Sequence, residues 1–142
     1  MINLKNSILS GDFETGEKIC SNISYNDLEE ELTRLAFDTE EISIYLFVLY
    51  LLHKHENADL DYIASELLVA VYTFLPGAYY LAYQHLLKAC ILEPNNYEYK
   101  ESLLLFYEIP EKVIDKIQAR EIAREVLKKK PNSEIARKII KE

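Results

Sequence analysis

The side chains in this sequence that could do chemistry are histidines, cysteines and paired acids. His53 and His55 lie on either side of Lys54, in a segment that suggests a metal site. Residues two apart on a helix point in different directions, however, and a lysine between two ligands repels a cation. The helix dipole also favours histidines near a helix C-terminus, which explains this pair without a metal. We therefore expect no metal centre and no cofactor.

The isolated histidine and the two cysteines lack neighbours that would activate them. His85 lies on a narrow polar stripe of an otherwise apolar helix, so its expected place is the edge of the core. Cys20 and Cys90 form no CxxC pair, and no local motif couples either thiol to a histidine. We expect both to be free thiols of a cytoplasmic protein.

The acidic pairs and the glycines also fail to make a reaction centre. The neighbours Glu40 and Glu41 do not form an acid–base dyad, because consecutive residues on a helix diverge by about 100°. A chain with three isolated glycines has no glycine-rich phosphate loop. We expect a protein that is not an enzyme.

The composition indicates a single all-α domain, residues 1–142. Of the 142 residues 49% are hydrophobic, whereas only three are glycine and four are proline. So few turn residues argue against the many short hairpins of an all-β fold. A chain of this length and apolar content can bury a core without disulfides or metals.

Helical periodicity runs along the whole chain and predicts about eight or nine helices joined by short turns. Ser24, Asn95 or Asn96, and Asn132 or Ser133 are polar residues placed to start helices, and another helix is expected over about residues 112–130. A helix from Asp59 or Asp61 to Leu75 carries an apolar stripe and a second, aromatic face.

Two strongly apolar segments are expected to form the centre of the fold. The run from Ile42 to Leu52 predicts a core helix, because it has only about half of the roughly 20 residues that a membrane span requires. The helix after Gly77 has so few polar residues that nearly all of its sides should be covered. The predicted core residues here are Leu67, Val71, Leu81, Leu86, Cys90 and Phe106.

The charge is distributed unevenly along the chain. The net charge is −8, but residues 1–66 contain 14 acids against 4 bases, and residues 67–142 contain 10 acids against 12 bases. An acidic half steers basic partners and repels nucleic acid. A basic stripe runs through the helix of about residues 112–130, but Glu121 and Glu125 dilute it, so we expect no nucleic-acid partner.

The second half of the chain contains two related units. Leu92-Glu93-Pro94-Asn95-Asn96 returns as Lys129-Lys130-Pro131-Asn132-Ser133, and Ala82 and Ala119 keep the same spacing of 37 residues. Small residues at helix crossings and a proline at the exit are typical of the tetratricopeptide repeat. The residues that carry this pattern are Ala70, Ala82, Ala89 and Pro94 in the first unit, and Leu103, Ala119 and Pro131 in the second.

On these residues the chain resembles a degenerate tetratricopeptide-like protein, with its clearest repeats at residues 60–95 and 96–132. Tyr107 and Val126 depart from the pattern, since small residues are expected at both positions. The resemblance implies stacked antiparallel helix hairpins in a right-handed superhelix that holds another polypeptide on its concave face. The segment from Gly77 to Asn96 and the segment YKESLLLFYEIPEK also resemble small bacterial immunity proteins that neutralise a toxin.

Two protein-binding functions follow from these observations. In the first, the acidic half covers a basic surface, such as that of a nuclease-type toxin, as a stoichiometric inhibitor; in the second, a concave groove takes an extended peptide, as in an adaptor or co-chaperone. The charge asymmetry favours the first function. Carboxylates clustered around one helix end and exposed tyrosines are the candidate contacts for a protein partner: Glu29, Glu30, Glu31, Asp38, Glu40, Glu41, Tyr62, Tyr72 and Tyr97. No membrane partner is expected.

Overall fold

All regular structure in the described part of the chain is helical. The computed structural model describes residues 3–142. Its helical segments are α1 (Leu4–Leu9), α2 (Phe13–Cys20), α3 (Tyr25–Thr39), α4 (Ser43–Lys54), α5 (Ala58–Ala70), α6 (Ala78–Leu92), α7 (Tyr97–Ser102), α8 (Leu105–Glu108), α9 (Lys116–Lys129) and α10 (Glu134–Lys141). A turn of two residues separates α7 from α8, so these two segments form one interrupted helix. With that pair counted once, the predicted all-α fold of about eight or nine helices is confirmed.

The main contacts join helices that are close together in the chain. Helices α1 and α2, α4 and α5, α5 and α6, and α9 and α10 pack as consecutive pairs, and α5 with α6 is the most extensive of them. Helix α3 also packs on α5, and α7 on α9. Most of the packing therefore joins a helix to its successor or to the helix after that.

Short polar side chains cap the helices where the sequence predicts a start. The side chains of Ser24, Asn96 and Ser133 accept hydrogen bonds from backbone N–H groups in the first turns of α3, α7 and α10. Helix α9 starts later than expected, at Lys116, because Asp115 and Gln118 form a reciprocal capping box.

The helix predicted to reach Leu75 ends at Ala70. Beyond it the Tyr72 backbone N–H binds the Leu67 carbonyl at 3.2 Å, and the Tyr72 side chain is fully buried. Burying this ring takes the chain out of the helix, and Pro76 then prevents helix from resuming before Gly77. The expected second aromatic face of α5 is therefore shorter than predicted.

The predicted core is largely correct. Leu67, Leu86, Cys90 and Phe106 are buried, and so are Ile44, Tyr45, Phe47, Val48 and Leu51 of the α4 core helix. Val71 is only half-buried because it lies past the end of α5. Within residues 3–142, no helix is both long enough and apolar enough to cross a membrane.

Helix α6 departs most from its prediction. Leu81 is 39% exposed, and Leu87, Ile91 and Leu92 are exposed as well, so one apolar side of this helix is uncovered. Its opposite side packs on α5 through Ala78, Ala82, Leu86 and Ala89, whose mostly small side chains allow close approach. The helix is thus at the surface of the fold rather than at its centre.

Candidate functional site

A cleft of about 310 Å³ lies between α3, α5 and α7. Tyrosine rings and carboxylates form most of its walls. Its lining residues are Tyr25, Asn26 and Glu29 of α3, Asp59, Tyr62 and Ile63 of α5, and Glu98, Tyr99 and Ser102 of α7. We call it the acidic cleft.

One face of α5 supplies the floor of the acidic cleft. Asp59, Tyr62 and Ile63 line the cleft, and Glu66 continues the same i, i+3, i+4, i+7 face of the helix just beyond the lining residues. The Tyr62 ring stacks on the Tyr99 ring of α7, with centroids 5.0 Å apart and planes inclined by 23°. The Tyr99 hydroxyl donates a hydrogen bond of 2.7 Å to Asp59 Oδ1. These contacts hold α7 against α5 and fix both rings in place.

Two carboxylates near Tyr62, Glu29 and Glu66, lack positive partners. Burial raises the pKa of Glu66, and the neighbouring charge of Glu29 raises it further. The pKa of Glu29 is raised by burial and then by Glu30. Among residues 3–142, neither Glu29 nor Glu66 forms an ion pair within 4 Å. The side of the acidic cleft at Glu29 therefore carries uncompensated negative charge, whereas Glu98 on α7 pairs with Lys130 at 2.8 Å.

The tyrosines of the cleft are kept protonated. Burial is the main cause that raises the pKa of Tyr62 to about 12, with Glu66, Glu29 and Glu98 as further causes. The pKa of Tyr99 is also strongly raised by burial and by its bond to Asp59. Protonated rings beside carboxylates form an environment that favours a cation, both through charge and through the faces of the rings.

The predicted acidic cluster is divided by the structure into two groups. Glu29, Glu30 and Glu31 lie in the second turn of α3, whereas Asp38, Glu40 and Glu41 lie at its C-terminal end or beyond it. Nine residues of helix separate Glu29 from Asp38, which is roughly 14 Å. Their expected position around a single helix end is therefore wrong.

Only one member of that predicted cluster lines the acidic cleft, namely Glu29. Glu30, Glu40 and Glu41 are exposed. Arg34 already pairs with Glu31 at 2.6 Å and with Asp38 at 3.4 Å on the surface of α3. Surface pairs of this kind contribute little and leave less free charge for a partner.

The three candidate tyrosines occupy different environments. Tyr62 lies in the acidic cleft as described. Tyr97 is half-buried on α7, where Lys100 Nζ lies 5.0 Å from its ring centroid. Tyr72 is fully buried, so the expectation that it is exposed to a partner is wrong.

Of the nine residues that line the acidic cleft, the sequence predicts only Glu29 and Tyr62 as contacts, and Tyr99 and Asp59 are among the seven that it does not predict. Tyr99 precedes the inward-facing Leu103 and Phe106 by four and seven residues, so helical spacing already placed it on the inner side. Asp59 is one of the two acids expected at the start of α5, but its bond to Tyr99 depends on α7. No sequence signal identifies that pairing.

A second polar cluster lies on the opposite side of α5. His85 Nδ1 is 2.9 Å from Asp61 Oδ1, and His85 Nε2 is 2.8 Å from the Tyr45 hydroxyl. The order acid, histidine, hydroxyl is that of a nucleophilic triad. However, burial and the charge of Asp61 raise the pKa of Tyr45, so its phenol stays protonated. The cluster ties α4, α5 and α6 together without an activated nucleophile.

The other histidines and the two cysteines do not form a reactive group. His53 and His55 are exposed, and no group of three or more histidine, cysteine or acidic side chains in residues 3–142 is arranged to hold a metal ion. Cys20 and Cys90 are free and buried, and burial raises the pKa of each thiol to about 11.

The basic stripe expected over about residues 112–130 is partly used inside the fold. Arg120 donates hydrogen bonds to the carbonyls of Ile140 and Glu142 at the end of α10. Lys112 Nζ lies 4.2 Å from the ring centroid of Tyr107, and Lys128 pairs with Glu125 at 3.0 Å. Three of the five cations that recur every four residues in this stripe thus already have contacts within the protein; the five are Lys112, Lys116, Arg120, Arg124 and Lys128.

The chain was compared with protein families, curated proteins and solved structures. No protein-family model matches it. No curated protein and no solved structure matches it either. The geometry of the site is therefore the basis for the function proposed below.

Proposed function

We propose that this chain is a non-enzymatic protein-binding module that takes a basic side chain of its partner into the acidic cleft. The observation that carries this proposal is the pair of half-buried carboxylates, Glu29 and Glu66, beside the stacked rings of Tyr62 and Tyr99. The single charge of a lysine or arginine would offset much of the repulsion between the two acids, and its side chain would contact a ring face.

The most specific form of this function is a stoichiometric inhibitor of the immunity type. The acidic first half of the chain would accelerate encounter with a basic toxin, and the cleft would then hold one of its cationic side chains. The resemblance of two segments, Gly77 to Asn96 and YKESLLLFYEIPEK, to small immunity proteins agrees with this form. Raised carboxylate pKa values support it too, because a bound cation relieves the cost of ionising Glu29 and Glu66.

The alternative function, a peptide-binding adaptor or co-chaperone-like scaffold, has less support from the geometry. A cleft of about 310 Å³ between three helices admits one or two side chains rather than an extended peptide. The inhibitor is therefore our first proposal and the adaptor our second.

The proposal is tested with the products of the genes adjacent to the one that encodes this chain. Each product is expressed in bacteria with and without the chain, and a toxic product that the chain neutralises is purified for stopped-flow binding at several salt concentrations. The Glu29→Lys/Glu66→Lys variant should associate at least tenfold more slowly than the wild type and show a weaker salt dependence.

A matched control separates the cleft from the overall charge. Glu111→Lys/Glu121→Lys makes the same charge change at two exposed acids outside the cleft, and its association should slow much less. Equal slowing of both variants would show that the cleft does not receive the partner. If no adjacent gene product is neutralised or bound, the immunity function is wrong.

A further inference from the structure

The buried carboxylate of Asp61 has an acceptor that nothing in the described structure satisfies. Asp61 is 1% exposed, and its Oδ1 accepts a hydrogen bond from His85 Nδ1. Among the described residues 3–142, Asp61 Oδ2 is the one buried side-chain oxygen or nitrogen without a hydrogen-bond partner. A buried carboxylate oxygen in this state is costly and favours a donor, above all a charged one.

Asp61 lines the polar end of a groove between α4 and α6. Two adjoining hollows of about 450 and 490 Å³ share Leu49, His85 and Lys88. The hollow at Asp61 is the more polar, and the other continues along the exposed apolar side of α6. The apolar walls of this amine groove, as we call it, come from Leu49, Leu52, Leu81, Leu87 and Ile91.

The groups around Asp61 cannot complete its bonding in the observed arrangement. His85 uses Nδ1 for Oδ1 of Asp61 and Nε2 for the Tyr45 hydroxyl. Lys88, the nearby cation, pairs instead with Glu56 at 3.1 Å on the outer side of the groove. Within residues 3–142, no protein group therefore donates a hydrogen bond to Asp61 Oδ2.

We propose that the amine groove binds a ligand with an aliphatic chain and a primary ammonium group. The ammonium donates to Asp61 Oδ2 and neutralises the carboxylate, while the chain lies against the leucines and Ile91 of the walls. An alcohol would supply a donor without the charge, and a carboxylate would be repelled. Because Asp61 faces away from Asp59, Tyr62 and Glu66 on α5, this site is separate from the acidic cleft and independent of the function proposed for it.

The test compares three ligands that share one aliphatic chain: n-hexylamine, 1-hexanol and hexanoate. Binding to the full chain is followed at pH 7 by calorimetry and by the NMR signals of His85. Hexylamine should bind about tenfold more tightly than hexanol, which corresponds to the difference between a charged and a neutral hydrogen bond. Hexanoate should bind least. Equal affinity for hexylamine and hexanol, or no binding of hexylamine, overturns the proposal.

Two variants locate the ammonium. Asp61→Asn places an amide where the free oxygen was and should abolish the preference for hexylamine over hexanol. Lys88→Gln changes an exposed side chain, so this variant should fold even if Asp61→Asn does not. It removes a positive charge that competes with the ligand, and it should tighten hexylamine binding. The exposed replacement Lys18→Gln on α2 is its control and should change nothing. Weaker hexylamine binding by Lys88→Gln overturns the placement at Asp61.

A capped lysine distinguishes the two sources of such an ammonium. If Nα-acetyl-lysine methylamide binds with the same dependence on Asp61 as hexylamine, the site accepts a lysine side chain of another protein. If hexylamine alone binds, the ligand is a free aliphatic amine. Both results support recognition of an aliphatic ammonium, and failure of both probes excludes it.

Discussion

The Tyr72 hydroxyl donates a hydrogen bond of 2.6 Å to the backbone carbonyl of Glu41, 31 residues earlier in the chain. This bond fastens the turn after α5 to the junction between α3 and α4. Tyr72→Phe keeps the buried ring and removes only the donor, so we expect the free energy of unfolding to fall by about 1 kcal/mol in urea denaturation.

Tyr80→Phe is the matched control for that change. The Tyr80 side chain is 54% exposed, and its loss of a hydroxyl should alter stability by less than about 0.5 kcal/mol. If the two variants are equally stable, the Tyr72 bond does not contribute to holding the turn.

The contact between Gly16 and Phe47 sets how closely α2 approaches α4. A Cβ atom at Gly16 would lie 2.9 Å from Phe47 Cε1, and this ring is fully buried against Phe13 and Tyr50. Overpacking costs about 1–3 kcal/mol, whereas alanine gains about 1 kcal/mol in helix propensity. We expect Gly16→Ala to lower the stability by about 1 kcal/mol, as measured by thermal and urea unfolding.

A double-mutant cycle checks that reason. In a Phe47→Leu background the ring atoms nearest to position 16 are absent, so only the propensity gain remains and Gly16→Ala should become stabilising. If Gly16→Ala is also stabilising in the wild-type background, the Phe47 ring moves aside without a loss of stability.

Lys130 joins the end of α9 to α7 through two carboxylates. Its Nζ lies 2.8 Å from Glu98 and 2.8 Å from Glu101, and its bond is the main cause that lowers the pKa of Glu101, with Ser133 next. Lys130→Met keeps the aliphatic stem but leaves two acids unpaired, so we expect a lower free energy of unfolding at pH 7.

The loss of stability in Lys130→Met should depend on pH. A carboxyl with a lowered pKa in the folded state stabilises the protein above its ordinary pKa and loses that contribution as the pH falls through the lowered value. The difference between wild type and Lys130→Met should therefore shrink toward pH 3 in urea titrations. Lys128→Met, which removes an exposed pair with Glu125, should have little effect at any pH.

Glu66 should show the opposite dependence. Its pKa is raised, mainly by burial, so the folded state holds this proton more tightly than the unfolded chain does. The free energy of unfolding then falls as the pH rises from the ordinary pKa of glutamate to the raised pKa of Glu66. Glu66→Gln should stabilise the protein at pH 7 by a few tenths to about 1 kcal/mol and have almost no effect near pH 3.

Equilibrium unfolding at both pH values measures this change, with Glu121→Gln as the exposed control. If Glu121→Gln stabilises the protein by the same amount, the effect comes from the change in net charge. A loss of stability in Glu66→Gln at pH 7 would contradict the absence of a positive partner at this carboxylate.

Much of the architecture is readable from the sequence because it depends on interactions within about four residues. Ser24, Asn96 and Ser133 cap helices through the backbone N–H group three residues ahead. The spacing of apolar residues likewise predicts the α4 core helix and most of the core. These local patterns determine the helical class and the starts of α3, α7 and α10, whereas α9 starts four residues later than predicted.

The tertiary structure decided which side chains meet across helices. Tyr72 was expected on a free aromatic face, yet its ring is buried and its hydroxyl binds a carbonyl 31 residues away. Glu29 separates from Asp38 and joins Tyr62, because α3 packs on α5. Asp61 follows the same i, i+3, i+4, i+7 spacing as the buried residues Ala64, Ser65 and Leu68, so its burial could be read from the sequence. Its incomplete hydrogen bonding could not, because that depends on how α4 and α6 place Tyr45 and His85 around it.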